Sequence, residues 1–224
     1  GHGSQNVIEG LMNSCNVFFY NTGRALGIDN IEEFAKLFGF GKTTGIDLPG
    51  ETKGIVPGRF WKKVIKKDNW YEGDTVNLAI GQGYILVTPI QVLEMISIVA
   101  NNGKAVKPYI VKRIDMSDIS PAPRHDLNLS KNAIRAVRDG LYKVVNAENG
   151  TGKRARLEGV TIGGKTGTAE NPGGKTHAWF SGFAPFDNAK ISLVVFLEHG
   201  GKGGLEPSEI AKEIFAAARS KGYL

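Results

Sequence analysis

The stretch Gly163–Ala169 constrains the fold more than any other part of this 224-residue chain. It reads Gly-Gly-Lys-Thr-Gly-Thr-Ala, so that one lysine and two threonines stand among three glycines. Because glycine has no Cβ, other parts of the fold or a ligand can come close to its backbone. A lysine ammonium beside two hydroxyl donors suits an anion, which would be either a phosphate or a carboxylate. The element that forms around Lys165 distinguishes these two interpretations.

The order of hydrophobic periods along the chain predicts an α+β fold, since a helical block is followed by strands and a closing helix. Thr88-Pro89-Ile90-Gln91 is typical of a helix start, and Ser130 suits the cap of another long helix. We predict helices over Gln5–Met12, Val17–Leu26, Ile31–Phe38, Thr88–Ala100, from Ser130 to about Asn149, and over Pro207–Arg219. We predict strands in Val106–Ile114 and over Val160–Ala169, Ala178–Phe186 and Ile191–Glu198, and Trp61–Asp74 is a short polar and aromatic segment without an assigned element. The three last strands are expected to form an antiparallel sheet packed against helices.

Composition excludes several classes of protein. Lysines and arginines exceed acidic residues by 28 to 22, giving a net charge of +6, but the basic residues are scattered. Nucleic-acid binding would require a patterned basic surface or a known module, and the sequence has neither, so no nucleic-acid partner is expected. The single cysteine, Cys15, excludes an internal disulfide framework. The longest apolar runs, such as Ile191–Leu197, are too short to span a bilayer.

A phosphate-binding loop is one interpretation of the lysine stretch, because Gly159–Thr166 matches the pattern G-x-x-x-x-G-K-T. Such a loop requires a helix whose N-terminus begins directly after the motif. Pro172 and two glycines follow within eight residues of Thr166, and no helix could run through them. A P-loop-type nucleotide-binding protein therefore stays an alternative that the context disfavours.

A strand-edge Lys-Thr-Gly is the other interpretation. Serine-acylating penicillin-interacting enzymes carry the motifs S-x-x-K, S-D-N and K-T-G. In this chain Ser14-Cys15-Asn16 fits the second motif as S-x-N, and Lys165-Thr166-Gly167 fits the third. A strand-edge lysine and threonine can hold a substrate carboxylate, a serine beside the lysine can relay a proton, and an asparagine amide can hold a peptide group. An S-x-N tripeptide alone has no weight, so the prediction depends on the agreement of other segments.

Those other segments make the pattern specific. They are the strand Ala178–Pro185, Gly81-Gln82-Gly83 followed by Thr88-Pro89-Ile90-Gln91, the start Gly1-His2-Gly3, Gly39-Phe40-Gly41 with Thr44–Leu48, and Trp70-Tyr71 with Gly73-Asp74-Thr75. With these, nearly the whole chain resembles the transpeptidase domain of class B penicillin-binding proteins, in particular their elongation type. The resemblance implies the penicillin-binding and serine β-lactamase-like fold. It also implies a peptidoglycan D,D-transpeptidase that cross-links stem peptides during cell-wall elongation, with β-lactams as inhibitors.

The resemblance also implies roles for individual residues. Ser14 would be a proton shuttle and Asn16 would hold the substrate amide. Lys165 would be the electrostatic partner of Ser14 and of the substrate carboxylate, and Thr166, Gly167 and Thr168 would complete the carboxylate site. The backbone N–H of Thr168 would supply half of an oxyanion hole. The alternative is that Ser14 and Asn16 only cap a helix and that Lys165 is a solvated strand residue.

The nucleophile motif S-x-x-K is absent, since no serine of the chain has a lysine three residues later. We therefore expect residues 1–224 to be the C-terminal part of a single transpeptidase domain whose preceding part carries the nucleophile, and we expect this polypeptide alone to be inactive. Its partners would be that missing part and membrane-associated cell-wall elongation proteins. By the same resemblance, the protein would work at the extracytoplasmic, periplasmic face of the inner membrane, anchored by an N-terminal segment outside this chain. A β-lactamase or β-lactam sensor of the same fold is the alternative within this class.

His2 and Cys15 form a second candidate site. Imidazole and thiolate are zinc ligands, and some relatives of the elongation type are expected to use a histidine and a cysteine at this spacing together with upstream aspartates. Catalysis itself is not expected to need a cofactor. Two ligands make half of a usual four-ligand structural site, and the alternative is a small buried cysteine and a frayed terminal histidine.

Overall fold

The fold is described by a computed structural model that covers residues 2–120 and 122–224. The helices are α1 Val7–Met12, α2 Asn16–Leu37, α3 Arg59–Trp61, α4 Glu72–Leu78, α5 Pro89–Ala100, α6 Lys131–Asn146 and α7 Glu206–Ser220. The strands are β1 Lys104–Ala105, β2 Arg113–Ile114, β3 Ser117–Asp118, β4 His125–Asp126, β5 Gly163–Ala169, β6 His177–Ala184 and β7 Ile191–Leu197. A π-helical turn, Lys62–Lys66, follows α3, and a 3₁₀ turn spans Lys153–Ala155. The predicted α+β class is confirmed.

The three long strands form one antiparallel sheet in the order β5-β6-β7. Lys165 on β5 pairs with Ser181 on β6, which in turn pairs with Val194 on β7. The strand β5 therefore lies at an edge of this sheet, with one side paired to β6 and the other side free of strands among the described residues. This places Lys-Thr-Gly on a strand edge, as the second interpretation required.

Helices cover both faces of the sheet. Successive residues of a strand point to opposite faces, so each strand contributes side chains to both layers. Phe180 packs in one cluster with Phe215 of α7 and Val144 of α6. Phe183, three positions further along β6, packs on the other side with Ile96 of α5 and Leu141 of α6. All of these side chains are buried, with at most 4% of their surface exposed. The helix α5 has no exposed residue after Pro89, so it is largely buried.

Helix boundaries follow the capping signals of the sequence. The Thr88 Oγ1 accepts a hydrogen bond from the Gln91 backbone N–H, and the Gln91 Oε1 accepts one from the Thr88 N–H, which is the predicted capping box. Ser130 caps α6 in the same way through the Ala133 N–H. The structure joins the two predicted helices 17–26 and 31–38 into α2, but Gly27 breaks it with φ 74° and ψ 160°. The predicted stop at this glycine is therefore present inside one continuous element.

One prediction of secondary structure is wrong, and one segment had no predicted element. The segment without a predicted element, 61–74, holds the end of α3, a π-helical turn and the start of α4. Val106–Ile114 was expected to be strand, but only Arg113 and Ile114 are, and they pair with β3 in a two-residue hairpin. Short polar helices and isolated two-residue strands lack the repeated apolar pattern on which such predictions depend.

The helix α1 lies across α6, and this contact positions the start of α2. Gly140 on α6 allows the approach, because a Cβ there would lie 2.5 Å from the Leu11 side chain. The helix α6 also packs along β5. The turn between α1 and α2 is therefore held next to the edge strand. Among the described residues, no helix combines the length and apolar character needed to cross a membrane.

Candidate active site

Ser14 lies in the turn between α1 and α2, in a backbone conformation that non-glycine residues rarely adopt. Its φ is 49°, and the turn is closed by bonds from the Ser14 N–H to Leu11 O and from the Cys15 N–H to Gly10 O. The left-handed region costs an L-residue on the order of 1–2 kcal/mol. The packing of α1 on α6 maintains this conformation, and such maintained strain is common at functional sites.

The alternative in which Ser14 and Asn16 only cap a helix does not describe this turn. Cys15 occupies the N-cap position of α2, and it makes no side-chain capping bond. Asn16 is the first residue of α2 and is exposed, as is Ser14. Both polar side chains are therefore available to a ligand or to another part of the protein.

Lys165 reaches Ser14 from the other end of the chain. Its Nζ donates a hydrogen bond of 2.9 Å to the Ser14 Oγ and one of 2.8 Å to the Thr166 backbone carbonyl. The first of these bonds joins residues 151 positions apart. The proximity that the sequence predicted for Ser14 and Lys165 is thus present.

Burial lowers the pKa of Lys165 from 10.5 to about 8. Desolvation disfavours an ammonium unless a nearby negative charge compensates it. Within the described part of the chain, no carboxylate lies within 4.0 Å of this ammonium. The site therefore contains a partly desolvated cation without an anionic partner, which is the electrostatic condition for binding an anionic group.

The two threonines of β5 are anchored by loops that reach this strand from other parts of the chain. The Thr166 Oγ1 donates to the Thr151 Oγ1 at 3.3 Å, and the Thr168 Oγ1 accepts from the Gly203 N–H at 3.4 Å. Gly203 can approach this closely only as glycine, because a Cβ there would lie 2.2 Å from the Gly167 carbonyl oxygen. Both hydroxyls are thus held in place by contacts outside the sheet.

A cavity of about 950 Å³ collects these residues. Its lining includes Ser14, Asn16, Lys165, Thr166, Gly167 and Thr168. The remaining wall is formed by α2, the segment 77–83 and the turn after β5. All the catalytic and substrate-binding candidates from the sequence therefore lie in one open cavity, with a serine and an amide on one side and a lysine and two hydroxyls on the other.

Gln82 is a residue of this cavity to which sequence reasoning gave no role. Its amide Nε2 donates to the Thr168 carbonyl at 3.0 Å, and its Oε1 accepts from the Glu170 N–H at 3.2 Å. The segment 79–83 is unusual in the sequence because two glycines flank this glutamine. That signal marks a tight turn, but it does not show which strand the glutamine contacts.

His2 and Cys15 both line a second cavity, of about 760 Å³, which also includes Ser14 and Asn16 of the same turn. Cys15 is buried, with 8% of its surface exposed, and it is not in a disulfide. Residues 2–120 and 122–224 contain no cluster of three or more histidine, cysteine or acidic side chains that could hold a metal ion. The two donors fit half of a zinc site, so the zinc interpretation stays a prediction that needs ligands from outside the chain.

The phosphate-loop interpretation fails on its required context. Strand β5 begins at Gly163 and continues through Thr166 to Ala169, and a turn follows it. A nucleotide-binding loop needs a helix N-terminus directly after the lysine and threonine to face the phosphates. The match of Gly159–Thr166 to the nucleotide-binding sequence pattern is therefore coincidental.

A Lys-Thr-Gly edge strand facing a Ser-x-Asn turn across one cavity is the arrangement expected of the serine-acylating, penicillin-interacting class. The family model for the penicillin binding protein transpeptidase domain matches residues 1–217. The chain belongs to this family. This confirms the class to which the sequence pointed.

Individual relatives agree with this assignment. The peptidoglycan D,D-transpeptidase MrdA of Haemophilus influenzae is 36% identical over 235 residues, which cover 96% of this chain and 36% of that protein. The protein of the same name from Escherichia coli K12 is 33% identical over 226 residues, covering 91% of this chain and 35% of that protein. The chain thus spans little more than a third of the length of these relatives.

Solved structures show the same fold. The structure of the penicillin-binding protein PBP2 with MreC from Helicobacter pylori superposes with a TM-score of 0.91 at 34% identity, covering all of this chain and 42% of that one. PBP2 of Pseudomonas aeruginosa in complex with WCK 5153 gives a TM-score of 0.85 at 34% identity, covering 95% of this chain and 47% of that one. The predicted penicillin-binding fold is confirmed by these likenesses.

Proposed function

We propose that the protein to which this chain belongs is an elongation-type peptidoglycan D,D-transpeptidase and that residues 1–224 supply the donor-binding part of its active site. One observation carries the proposal: the Lys165 ammonium bonds the Ser14 hydroxyl at 2.9 Å inside a cavity also lined by Asn16, Thr166 and Thr168. The donor is a stem peptide that ends in a free carboxylate, and β-lactams occupy the same place. The names of the similar proteins support this activity.

In this proposal each side chain has one task. The donor's terminal carboxylate accepts hydrogen bonds from the Thr168 hydroxyl and from the Thr166 hydroxyl, whose proton turns to it while Thr151 donates to Thr166 instead. The carboxylate lies beside the Lys165 ammonium, whose low-dielectric surroundings strengthen the attraction. The Asn16 amide holds the donor's peptide group. The backbone N–H of Thr168 donates to the carbonyl oxygen of the bond that breaks, as negative charge develops there.

The nucleophilic serine and its lysine come, in this proposal, from a part of the same domain outside these residues. That serine attacks the donor carbonyl, and the C–N bond to the leaving residue breaks. The proton that leaves the attacking hydroxyl returns to the leaving nitrogen through the Ser14 hydroxyl, which the Lys165 ammonium orients. The acyl group then passes to the amine of a neighbouring strand, and the serine is released.

The test is covalent labelling of the full-length protein with a fluorescent penicillin. Ser14→Ala should lower the rate of labelling by at least about 100-fold, the lower end of the effect of a general acid. Lys165→Met should lower this rate by at least as much, whereas Lys131→Met, at the exposed start of α6, should leave it unchanged. A wild-type protein that is not labelled would refute the proposal.

The location and partners of the whole protein belong to the same proposal. The similar structures include a PBP2 bound to MreC and a chain from a peptidoglycan synthase complex. We place the protein at the extracytoplasmic face of the inner membrane, in contact with cell-wall elongation proteins. Fractionation of cells and co-purification with those proteins test this placement. Recovery in the soluble cytoplasmic fraction would contradict it.

Two further points remain to be measured. A β-lactamase or sensor of the same fold loses support because the relatives described above are named transpeptidases or penicillin-binding proteins. Turnover of nitrocefin by the full-length protein would restore support for this alternative.

Zinc analysis of the full-length protein tests His2 and Cys15 as zinc ligands. One equivalent of zinc that is lost in Cys15→Ala supports the site, and equal zinc contents make Cys15 a buried core residue.

A further inference from the structure

The free edge of β5 is occupied by side chains instead of a strand. In an antiparallel pair the N–H and C=O groups of every second residue point away from the partner strand. Thr166, Thr168 and Glu170 are these residues, because their backbone groups bond to Lys165 and Gln82 and not to β6. The Thr168 N–H lies on this edge too, between the Lys165 contact and the Gln82 contact.

The amide of Gln82 acts on this edge as a substitute for one residue of a neighbouring strand. It offers an N–H to the Thr168 carbonyl and an oxygen to the Glu170 N–H, which are the two bonds that one residue of a parallel neighbouring strand would make there. It comes from a segment 86 positions earlier in the chain, so the contact is tertiary and not local. It extends the order of β5 to Glu170.

This contact lies where β5 would otherwise lose its support. The strand ends at Ala169, and Asn171 begins a turn that contains Pro172 and two glycines. The Thr168 hydroxyl is fixed separately by the Gly203 N–H. Among the described residues, the backbone of Thr168 therefore has β6 on one side and Gln82 as its hydrogen-bond partner on the other.

We propose that Gln82 is a positioning residue for acyl transfer, which fixes the backbone N–H of Thr168 in the direction of the donor's reacting carbonyl. The inference rests on the function proposed above, because it assigns a supporting residue to the oxyanion donor named there. The Thr168 carbonyl has two lone pairs, so it can keep the Gln82 bond and still accept a hydrogen bond from a donor's peptide N–H. Gln82 therefore supports the edge without closing it.

The proposal predicts a change in the rate constant of acylation but not in the dissociation constant of the complex that precedes acylation. The N–H acts on charge that develops only as the carbonyl is attacked, so misplacing it slows the chemical step. The hydroxyls and the ammonium that hold the donor's carboxylate keep their own anchors, so binding is retained. Gln82→Ala should lower the acylation rate constant k2 by about tenfold, since two neutral hydrogen bonds that direct the N–H are lost. The dissociation constant of the complex that precedes acylation should change by less than about twofold.

The experiment measures k2 and this dissociation constant separately, by rapid mixing of the full-length protein with a fluorescent penicillin. Gln82→Glu is the second variant: it keeps the size of the side chain and the bond to the Glu170 N–H, but it places a carboxylate oxygen against the Thr168 carbonyl. It should show the same loss in k2. Asn30→Ala removes an amide from an exposed helical site, where Asn30 bonds the Leu26 carbonyl, and should change neither constant.

The outcomes are distinguishable. An unlabelled wild-type protein refutes the proposed function itself. A labelled wild type with unchanged k2 in both Gln82 variants refutes the positioning role. A weakened initial complex with normal k2 would make Gln82 a binding residue and would overturn the inference. A fall in k2 that matches the fraction of unfolded protein in both variants would also overturn it.

Discussion

As the pH rises, this site should lose activity at a lower pH than it would if Lys165 had the usual pKa of a lysine. The pKa of Lys165 is about 8 because the ammonium is buried, whereas its usual value is 10.5. The proposed role requires the charged form, since the ammonium attracts the donor's carboxylate and orients the Ser14 hydroxyl. The constant k2/K for acylation reports the pKa values of the free protein. In a plot of k2/K against pH, the fall on the alkaline side (the upper limb) should therefore be centred near the pKa of Lys165.

The magnitude follows from the fraction of charged lysine. With a pKa of about 8, roughly nine-tenths of the molecules carry the ammonium at about pH 7 and roughly one-tenth at about pH 9. The value of k2/K should fall about tenfold over this interval. With a pKa of 10.5 it would fall by only a few per cent. The two cases are well separated by an ordinary rate measurement.

The assay follows k2/K for a fluorescent penicillin with the full-length protein in steps from about pH 6 to pH 10. Lys165→Arg is the control, because a guanidinium remains charged over this range. Whatever its absolute rate, this variant should lose the limb near pH 8. A wild-type profile that is flat to pH 10, or a limb that persists in Lys165→Arg, would refute the assignment of the shifted pKa to this side chain.

Three other predictions follow from the packing and from the sequence. Gly203→Ala should cost roughly 1–3 kcal/mol of unfolding free energy and slow acylation, because the added Cβ would lie 2.2 Å from the Gly167 oxygen. Gly73→Ala is the control, since a Cβ there meets nothing within 4 Å and should change neither property. Urea unfolding measures the stability of both variants. Arg138→Met should destabilise the protein by roughly 3 kcal/mol, since the buried guanidinium bonds three backbone carbonyls from α5 and the β6–β7 connection, while Arg135→Met on the exposed side of α6 should stay within about 0.5 kcal/mol. Equal urea midpoints for these two arginine variants would contradict that account. The 224-residue chain mixed alone with fluorescent penicillin should give no covalent band on a gel, because none of its serines has a lysine three residues later, and robust labelling would show that another nucleophile exists.

The long elements could be predicted because local chemistry marks their ends. The Thr88 capping box and the Ser130 cap each start a helix as the sequence indicated, and the predicted helix end at Leu26 corresponds to the break at Gly27 inside α2. The three C-terminal strands have the predicted order, with ends shifted by up to three residues. The segments around α3 and around β2 escaped prediction, because their conformation depends on contacts with the rest of the fold and not on a repeated apolar pattern.

The site was predictable only as two halves. The motifs named the residues at 14–16 and 165–168, and the resemblance to a family gave the reason to join them. The depressed pKa of Lys165 was not predictable, since it arises from burial by segments distant in sequence. The contacts of Gln82 and Gly203 with β5 were not predictable either, because a glutamine or a glycine in a turn carries no mark of the strand that it will touch.

The 151-residue separation between Ser14 and Lys165 has a consequence for biosynthesis. Closing so long a loop is entropically unfavourable until the helices and the sheet between them have docked. A nascent or truncated polypeptide would therefore expose both motifs and yet leave them apart. We expect the ability to bind a donor to appear abruptly, when the last tertiary contacts form, so that incompletely folded molecules do not bind it.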